Sequence, residues 1–256
     1  MQPIGLFKGE RALVTGSASN IGRAISEALA REGAEVLLAD IDPARNALVE
    51  ASIKAAGGSA EAITVDLARR DGWRELIDSI GERPVDMLVH AAAPPRREAN
   101  HLMDVSEETF DAMLGVNVRS GFLLARELGR RMKEGGIAGR MLLVTSLHAE
   151  TPRNLPHYSA SKAGQTMLVK ELARAFGPYG IRVNALAPGA IPGGGFNAAA
   201  FNFDGKIPMG RLGTAEDLAG PAMMLLSNRF CGYVTGTTLV VDGGIALHNW
   251  ITPASA

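Results

Sequence analysis

The stretch Tyr158-Ser159-Ala160-Ser161-Lys162 places a phenol and an ammonium four residues apart. On a helix that spacing makes them neighbours on one face. A free tyrosine ionises at about pH 10, too high for a general acid or base at neutral pH, but a cation held beside it favours the phenolate and lowers that value. A phenol tuned in this way can exchange a proton with an alcohol or carbonyl oxygen. The same spacing also occurs where a half-buried tyrosine merely sits beside a solvated lysine, so the rest of the chain has to decide between the two.

A second constellation lies near the start. The β-type run Arg11–Thr15 leads into Gly16-Ser17-Ala18-Ser19-Asn20-Ile21-Gly22 and then a helical run from Arg23 to Arg31. Gly16 and Gly22 would let the backbone approach a pyrophosphate, while Ser19, Asn20 and Ile21 carry amides at the start of the helix, where the dipole is positive. This strand–turn–helix context makes the turn a dinucleotide-binding candidate. Asn20 stands where a Gly-x-x-x-Gly-x-Gly turn has its middle glycine, a substitution eased by the tolerance of Asn for left-handed geometry.

Asp40 ends the second β-type run, eighteen residues beyond Gly22, near the spacing at which a carboxylate binds the adenosine ribose hydroxyls. A carboxylate there repels a 2′-phosphate. Ile41 follows it, and Ser17–Asn20 contains no Arg or Lys. These features favour NAD over NADP, with Arg45 as the one nearby cation that could oppose them.

Such a site needs a parallel sheet to present it. β-type runs alternate with helical stretches, as in βαβ units. The expected strands are Arg11–Thr15, Glu35–Ala39, Ala60–Val65, Val85–His90, Arg140–Thr145, Arg182–Leu186 and Thr238–Val241. One long helix is expected over Ser106–Glu134 and another over Ala160–Phe176. No linker interrupts the chain, so residues 1–256 read as one α/β domain with a doubly wound parallel sheet. Pro188–Met209, with Gly193-Gly194-Gly195 and little periodicity, reads as a loop or lid at about 188–210.

Composition narrows the partners. The 256 residues are 46% apolar and carry a net charge of −1. The pairs Arg69-Arg70, Arg96-Arg97 and Arg130-Arg131 are scattered among acidic residues, which argues against nucleic acid. One cysteine, Cys231, allows no intrachain disulfide, and no Cys/His cluster has metal-ligand spacing. No apolar run approaches the about 18 residues needed to span a bilayer, and the first ten residues lack a long apolar segment. The expectation is a cytoplasmic protein without membrane or metal.

With the turn, Asp40, Asn117, Ser146 and the Tyr158/Lys162 pair in order, the chain resembles the short-chain dehydrogenase/reductase family over nearly its full length. Val65-Asp66-Leu67, Asn117-Val118, Gly180-Ile181-Arg182-Val183-Asn184, Pro188-Gly189, Gly210-Arg211-Leu212-Gly213 and Val241-Asp242-Gly243-Gly244 match further segments. The resemblance implies a Rossmann-type fold and hydride transfer between a nicotinamide cofactor and a secondary alcohol or its ketone. It makes Tyr158 the general acid/base, and Lys162 both the grip on the nicotinamide ribose and the group that lowers the tyrosine pKa. Ser146 would bond the substrate oxygen, and Asn117 would order a water that relays protons to Lys162. Asp66 and Leu67 would face the adenine, with Ala91, Pro188, Gly189 and Ile191 as further cofactor contacts. A homotetramer is the assembly that relatives commonly adopt.

The chain also departs from the family pattern. Where relatives commonly carry Asn-Asn-Ala-Gly after the fourth strand, it has His90-Ala91-Ala92-Ala93, and Gly193 replaces a threonine that often contacts the nicotinamide amide. His90 reads as structural. The segment between Ser146 and Tyr158 is about one residue shorter than in many relatives and unusually polar, with His148, Glu150, Arg153 and Asn154. Together with the likeness of Ile207-Pro208-Met209-Gly210 to sugar dehydrogenases of the family, it points to a sugar or polyol bound at Ser146, His148 and Tyr158. Phe196, Phe201 and Phe203 could instead line an apolar pocket. Two alternatives stay open: a 3-oxoacyl-thioester reductase, opposed by Asp40, and a dinucleotide-binding sensor without turnover, opposed by the presence of all four catalytic residues.

Overall fold

The computed structural model describes residues 4–95, 102–193, 196, 198–200 and 202–247. Arg96-Arg97, Gly194, Gly195 and Phe201 lie outside the described residues. Seven parallel strands form one sheet: β1 (Arg11–Thr15), β2 (Glu35–Asp40), β3 (Ser59–Thr64), β4 (Met87–His90), β5 (Arg140–Val144), β6 (Arg182–Pro188) and β7 (Thr238–Val241). Their order across the sheet is β3-β2-β1-β4-β5-β6-β7. The helices are α1 (Asn20–Arg31), α2 (Pro43–Ala55), α3 (Gly72–Ser79), α4 (Glu107–Leu114), α5 (Gly121–Glu134), α6 (Pro156–Phe176), α7 (Glu216–Leu226) and α8 (Asn228–Cys231).

Burial explains the parallel arrangement. All five residues of β1 and all seven of β6 are buried, as expected for strands covered on both faces. Alternate side chains divide between two cores. Ala12, Val14, Val36 and Leu38 pack on one side with Ile25 and Leu29 of α1 and Leu218 of α7. Leu13, Leu37 and Leu143 pack on the other with Leu124 and Leu128 of α5 and Val169 of α6. The strand order reverses between β1 and β4, and ligands in such sheets bind in the crevice at that point, beyond the carboxyl ends of the strands.

All seven expected strands are present, β1 and β7 with the expected ends and the others with one or both ends displaced by one or two residues. Two helix expectations need correction. The expected continuous helix over 106–134 is broken by a π-helical turn, Gly115–Ser120, between α4 and α5. Ser106 does open α4, accepting a hydrogen bond from the Thr109 amide at 3.2 Å. The wider turn contains Arg119, whose guanidinium donates to the Arg70 carbonyl at 3.0 Å and so ties the helix to the loop after β3. Helix α6 begins at Pro156 and not at Ala160. A proline suits a first helical turn because its fixed φ is already helical and its missing N–H would have had no partner there. Tyr158 therefore sits inside the helix, as its pairing with Lys162 requires.

Candidate active site

The turn after β1 is built around two glycines whose side chains could not be larger. A Cβ on Gly22 would lie 2.1 Å from the Gly16 carbonyl oxygen, and one on Gly16, at φ 71°, would lie 2.7 Å from the Ala92 amide nitrogen. The turn thus closes against the chain leaving β4. Asn20 has φ 46°, the left-handed geometry expected of the residue replacing a glycine. Its Nδ2 donates to the Pro192 carbonyl at 3.1 Å, joining the phosphate turn to the loop after β6. Ser19 precedes α1 without making a side-chain capping bond, and the first turn holds no acidic residue. These uncapped amides suit a diphosphate.

Asp40 accepts from the Ala18 amide at 2.9 Å through one carboxylate oxygen and from the Asp42 amide at 3.0 Å through the other. Its negative charge is therefore held at the rim of the turn. Arg45, the cation that could favour a 2′-phosphate, is exposed and lies 3.4 Å from Asp42. Sequence reasoning missed Asn46, which is buried and braces the turn from below. It accepts from the Ser17 hydroxyl at 2.9 Å and donates to the Leu38 carbonyl at 2.7 Å. It also donates to the Ile63 carbonyl at 3.3 Å, and no spacing rule announces it, because its partners lie in the glycine turn, β2 and β3.

Every residue singled out for the dinucleotide, from Gly16 to Ile191, lines a single cavity of about 600 Å³, and Ser146, Tyr158 and Lys162 line it too. Lys162 is 3% exposed and Tyr158 8%. The Lys162 ammonium lies 5.7 Å from the centroid of the Tyr158 ring and donates to the Val144 carbonyl and to Gln165 Oε1, both at 2.8 Å. Ser146, just beyond β5, accepts from the His148 amide at 3.2 Å. Asn117 does not line the cavity. It is fully buried in the π-helical turn, one layer behind, and its Nδ2 donates to the Ser161 hydroxyl at 2.8 Å, which in turn donates to the Tyr158 carbonyl at 2.7 Å.

His148 is also outside the cavity lining. Its ring stands edge-on to Tyr158, with centroids 6.2 Å apart, and its Nδ1 donates to the Thr151 carbonyl at 2.9 Å. Among the described candidates for an apolar wall, Phe196 and Phe203 pack edge to face on each other, with centroids 6.0 Å apart, and neither lines the cavity. The Arg153 guanidinium lies 5.2 Å over the Phe196 ring, so the Ser146–Tyr158 segment and the loop after β6 meet there.

His90 is structural. It is fully buried, its Nδ1 accepts from the Thr15 hydroxyl at 2.9 Å, and its Nε2 donates to the Val116 carbonyl at 3.1 Å. Thr15 also accepts from the Ala92 amide at 3.3 Å. The pair thus supports the turn that relatives build with asparagines. Burial, then the nearby Lys162 charge, push the His90 pKa down from 6.5 to about 4. Between those values the unfolded chain binds a proton that the folded protein refuses. The contribution of neutral His90 is therefore complete above about pH 6.5 and lost as pH falls toward 4, by up to about 3 kcal/mol. Urea unfolding at pH 7 and pH 4.5 checks this: His90→Asn should lose less stability across the interval than the unmodified protein, and equal losses would contradict it.

Comparison with known proteins adds independent observations. A family model described as enoyl-(acyl carrier protein) reductase matches residues 16–246. The chain is 34% identical to an L-rhamnose 1-dehydrogenase (NAD(P)(+)) of Azotobacter vinelandii, over 95% of this chain and 99% of that one. It is also 34% identical to glucose 1-dehydrogenase 2 of Bacillus subtilis, over 94% and 96% of the two chains. Among solved structures it resembles a gluconate 5-dehydrogenase from Burkholderia cenocepacia, in complex with NADP and tartrate, with a TM-score of 0.87, 31% identity, and coverage of 94% of this chain and 97% of that one.

Proposed function

Because the chain belongs to the short-chain dehydrogenase/reductase family, we propose that it interconverts a secondary alcohol and a carbonyl on a sugar or polyol, with NAD as the preferred cofactor. One observation carries this reading: the glycine turn, Asp40 and the Tyr158–Lys162 pair all line one cavity. A dinucleotide suits that cavity because the turn that Gly16 and Gly22 allow to close tightly brings to its lining the start of α1, whose amides Ser19 leaves uncapped.

A nicotinamide bound there supplies the hydride acceptor or donor. The remaining steps belong to the protein. In the oxidative direction Tyr158, as phenolate, takes the proton of the substrate hydroxyl while the C–H hydride departs and the C=O bond forms. The Ser146 hydroxyl donates to the same oxygen and orients it. In the role that the family resemblance implies, the Lys162 ammonium would favour the phenolate and grip the nicotinamide ribose. Asn117 braces this turn of α6 through Ser161 and, in the role that the family resemblance implies, orders the water that relays protons to Lys162. Asp66 and Leu67 would flank the adenine, and Ala91, Pro188, Gly189 and Ile191 would complete the cofactor contacts.

The sugar assignment draws on the polar Ser146–Tyr158 segment and on the activities named for the relatives. His148 stands edge-on to Tyr158 just outside the cavity lining, while Ser146 and Tyr158 line it. A panel of aldoses, polyols, hydroxy acids and 3-hydroxyacyl thioesters, assayed with NAD and NADP at the reduced-nicotinamide band, tests the whole reading. We expect aldoses or polyols to lead, NAD to outperform NADP, and Asp40→Ala to narrow that gap by removing repulsion of the 2′-phosphate. Activity confined to acyl thioesters would move the assignment to a 3-oxoacyl reductase, and equal or better turnover with NADP would sink the NAD preference and implicate Arg45. The same reading extends to a cytoplasmic homotetramer. Light scattering should return four times the 26.9 kDa chain mass, and a monomer mass would refute that assembly.

A further inference from the structure

Gln165 lies one turn beyond Lys162 on α6, away from the cavity wall and fully buried. Its Oε1 accepts from the Lys162 ammonium at 2.8 Å. Among the described residues its Nε2 has no hydrogen-bond partner, although it too is buried. A buried amide that leaves its donor unmatched costs stability, and such a group calls for a reason other than stability. The satisfied half of the side chain shows where that reason lies, because it touches the Lys162 ammonium, the cation beside Tyr158.

Burial favours the neutral form of a lysine, and hydrogen bonds from the ammonium to carbonyl oxygens oppose that tendency. Lys162 has two such carbonyls among its partners, Val144 from β5 and Gln165 from its own helix. Together they hold a flexible four-carbon chain at one place and in its charged form. We propose that Gln165 is a positioning residue that anchors the Lys162 ammonium beside Tyr158, so that the acidity of the Tyr158 phenol depends on the Gln165 carbonyl. This rests on the reading of Tyr158 as the proton-exchanging group, not on the choice of substrate.

Among the described residues, the titratable groups around this pair are few. His90 faces Lys162 from β4 and is neutral above about pH 4. His148, in the short turn after β5, stands edge-on to Tyr158. His157, its neighbour on α6, is buried with neither ring nitrogen bonded, and burial pushes its pKa down. None of these supplies a second cation to the phenol at alkaline pH.

The test does not require turnover. The chain has three tyrosines, and the other two, Tyr179 and Tyr233, are exposed. Subtracting the ultraviolet phenolate titration of Tyr158→Phe from that of the unmodified protein therefore isolates the Tyr158 midpoint. The same subtraction in Gln165→Met, which keeps the volume and removes both amide groups, should place that midpoint higher by about half to one pH unit. Below the midpoint this is roughly three- to tenfold less phenolate. The acid limb of kcat for alcohol oxidation should move by the same amount. Gln165→Glu retains the acceptor but adds a charge that offsets the ammonium, so its midpoint should rise further. A midpoint unchanged within about 0.2 units, or lowered, in the two variants would overturn the proposal. If the midpoint moves but no sugar or polyol is oxidised, the substrate reading fails and the role of Gln165 stands. If sugars are oxidised and the midpoint does not move, only the role of Gln165 fails.

Discussion

Tyr158→Phe is expected to fold, to bind the dinucleotide, and to lose roughly 10²–10⁴-fold in kcat, the range typical of removing a general acid or base. The expectation of an intact fold comes from packing. Tyr158 clusters with Met113 and Leu155, and phenylalanine keeps the ring that makes those contacts. Only the ionisable hydroxyl is removed. Calorimetric titration with NAD together with kcat on the best substrate of the panel provides the check. Near-normal kcat would show that proton exchange runs elsewhere, and it would restore the sensor reading in which this fold binds a dinucleotide without turning it over.

Lys162→Met is expected to differ in kind. Methionine fills most of the volume of the lysine stem but carries no charge. The phenol of Tyr158 then loses the cation that favours its ionised form, and the ribose loses a charged donor. A hydrogen bond to a charged group contributes about 1.5–3 kcal/mol, so NAD affinity should fall by roughly tenfold or more in addition to the loss of kcat. The Val144 carbonyl and Gln165 Oε1 would each lose a donor, which should also lower stability by about 1–3 kcal/mol. Binding measured by titration separates the two tasks. Unchanged affinity with depressed kcat would leave Lys162 as a tuner of Tyr158 alone and remove it from the ribose.

What could be read from the chain alone was local. The central strands were legible because a strand buried on both faces is a short, mostly apolar run, as in Arg11–Thr15 and Arg182–Pro188 with every residue buried. The glycine turn was legible because close backbone approach leaves a mark at single positions: a Cβ at Gly22 has nowhere to go. Tyr158 and Lys162 were legible because the helix repeat itself makes residues four apart neighbours. In each case the physical cause acts within a few residues, so spacing and residue type record it.

The tertiary structure decided the contacts between elements distant in sequence. Nothing in the spacing of the 106–134 segment marks a π-helical turn at Asn117, which meets Ser161 only because α6 packs beside it. His90 was readable as structural but not its partners, Thr15 and Val116, which lie in other elements. Asn46 and Gln165 escaped notice because a polar residue in an amphipathic helix is usually solvated, and only packing reveals that these two are buried with carbonyl, hydroxyl or ammonium partners. The polar segment after Ser146 suggested His148 as a substrate contact, but not that its Nδ1 would donate to the Thr151 carbonyl or that its ring would stand edge-on to Tyr158. Local periodicity determines which elements form. Which buried polar groups satisfy one another depends on how the folded sheet brings those elements together, and that arrangement has no signature in any short stretch of sequence.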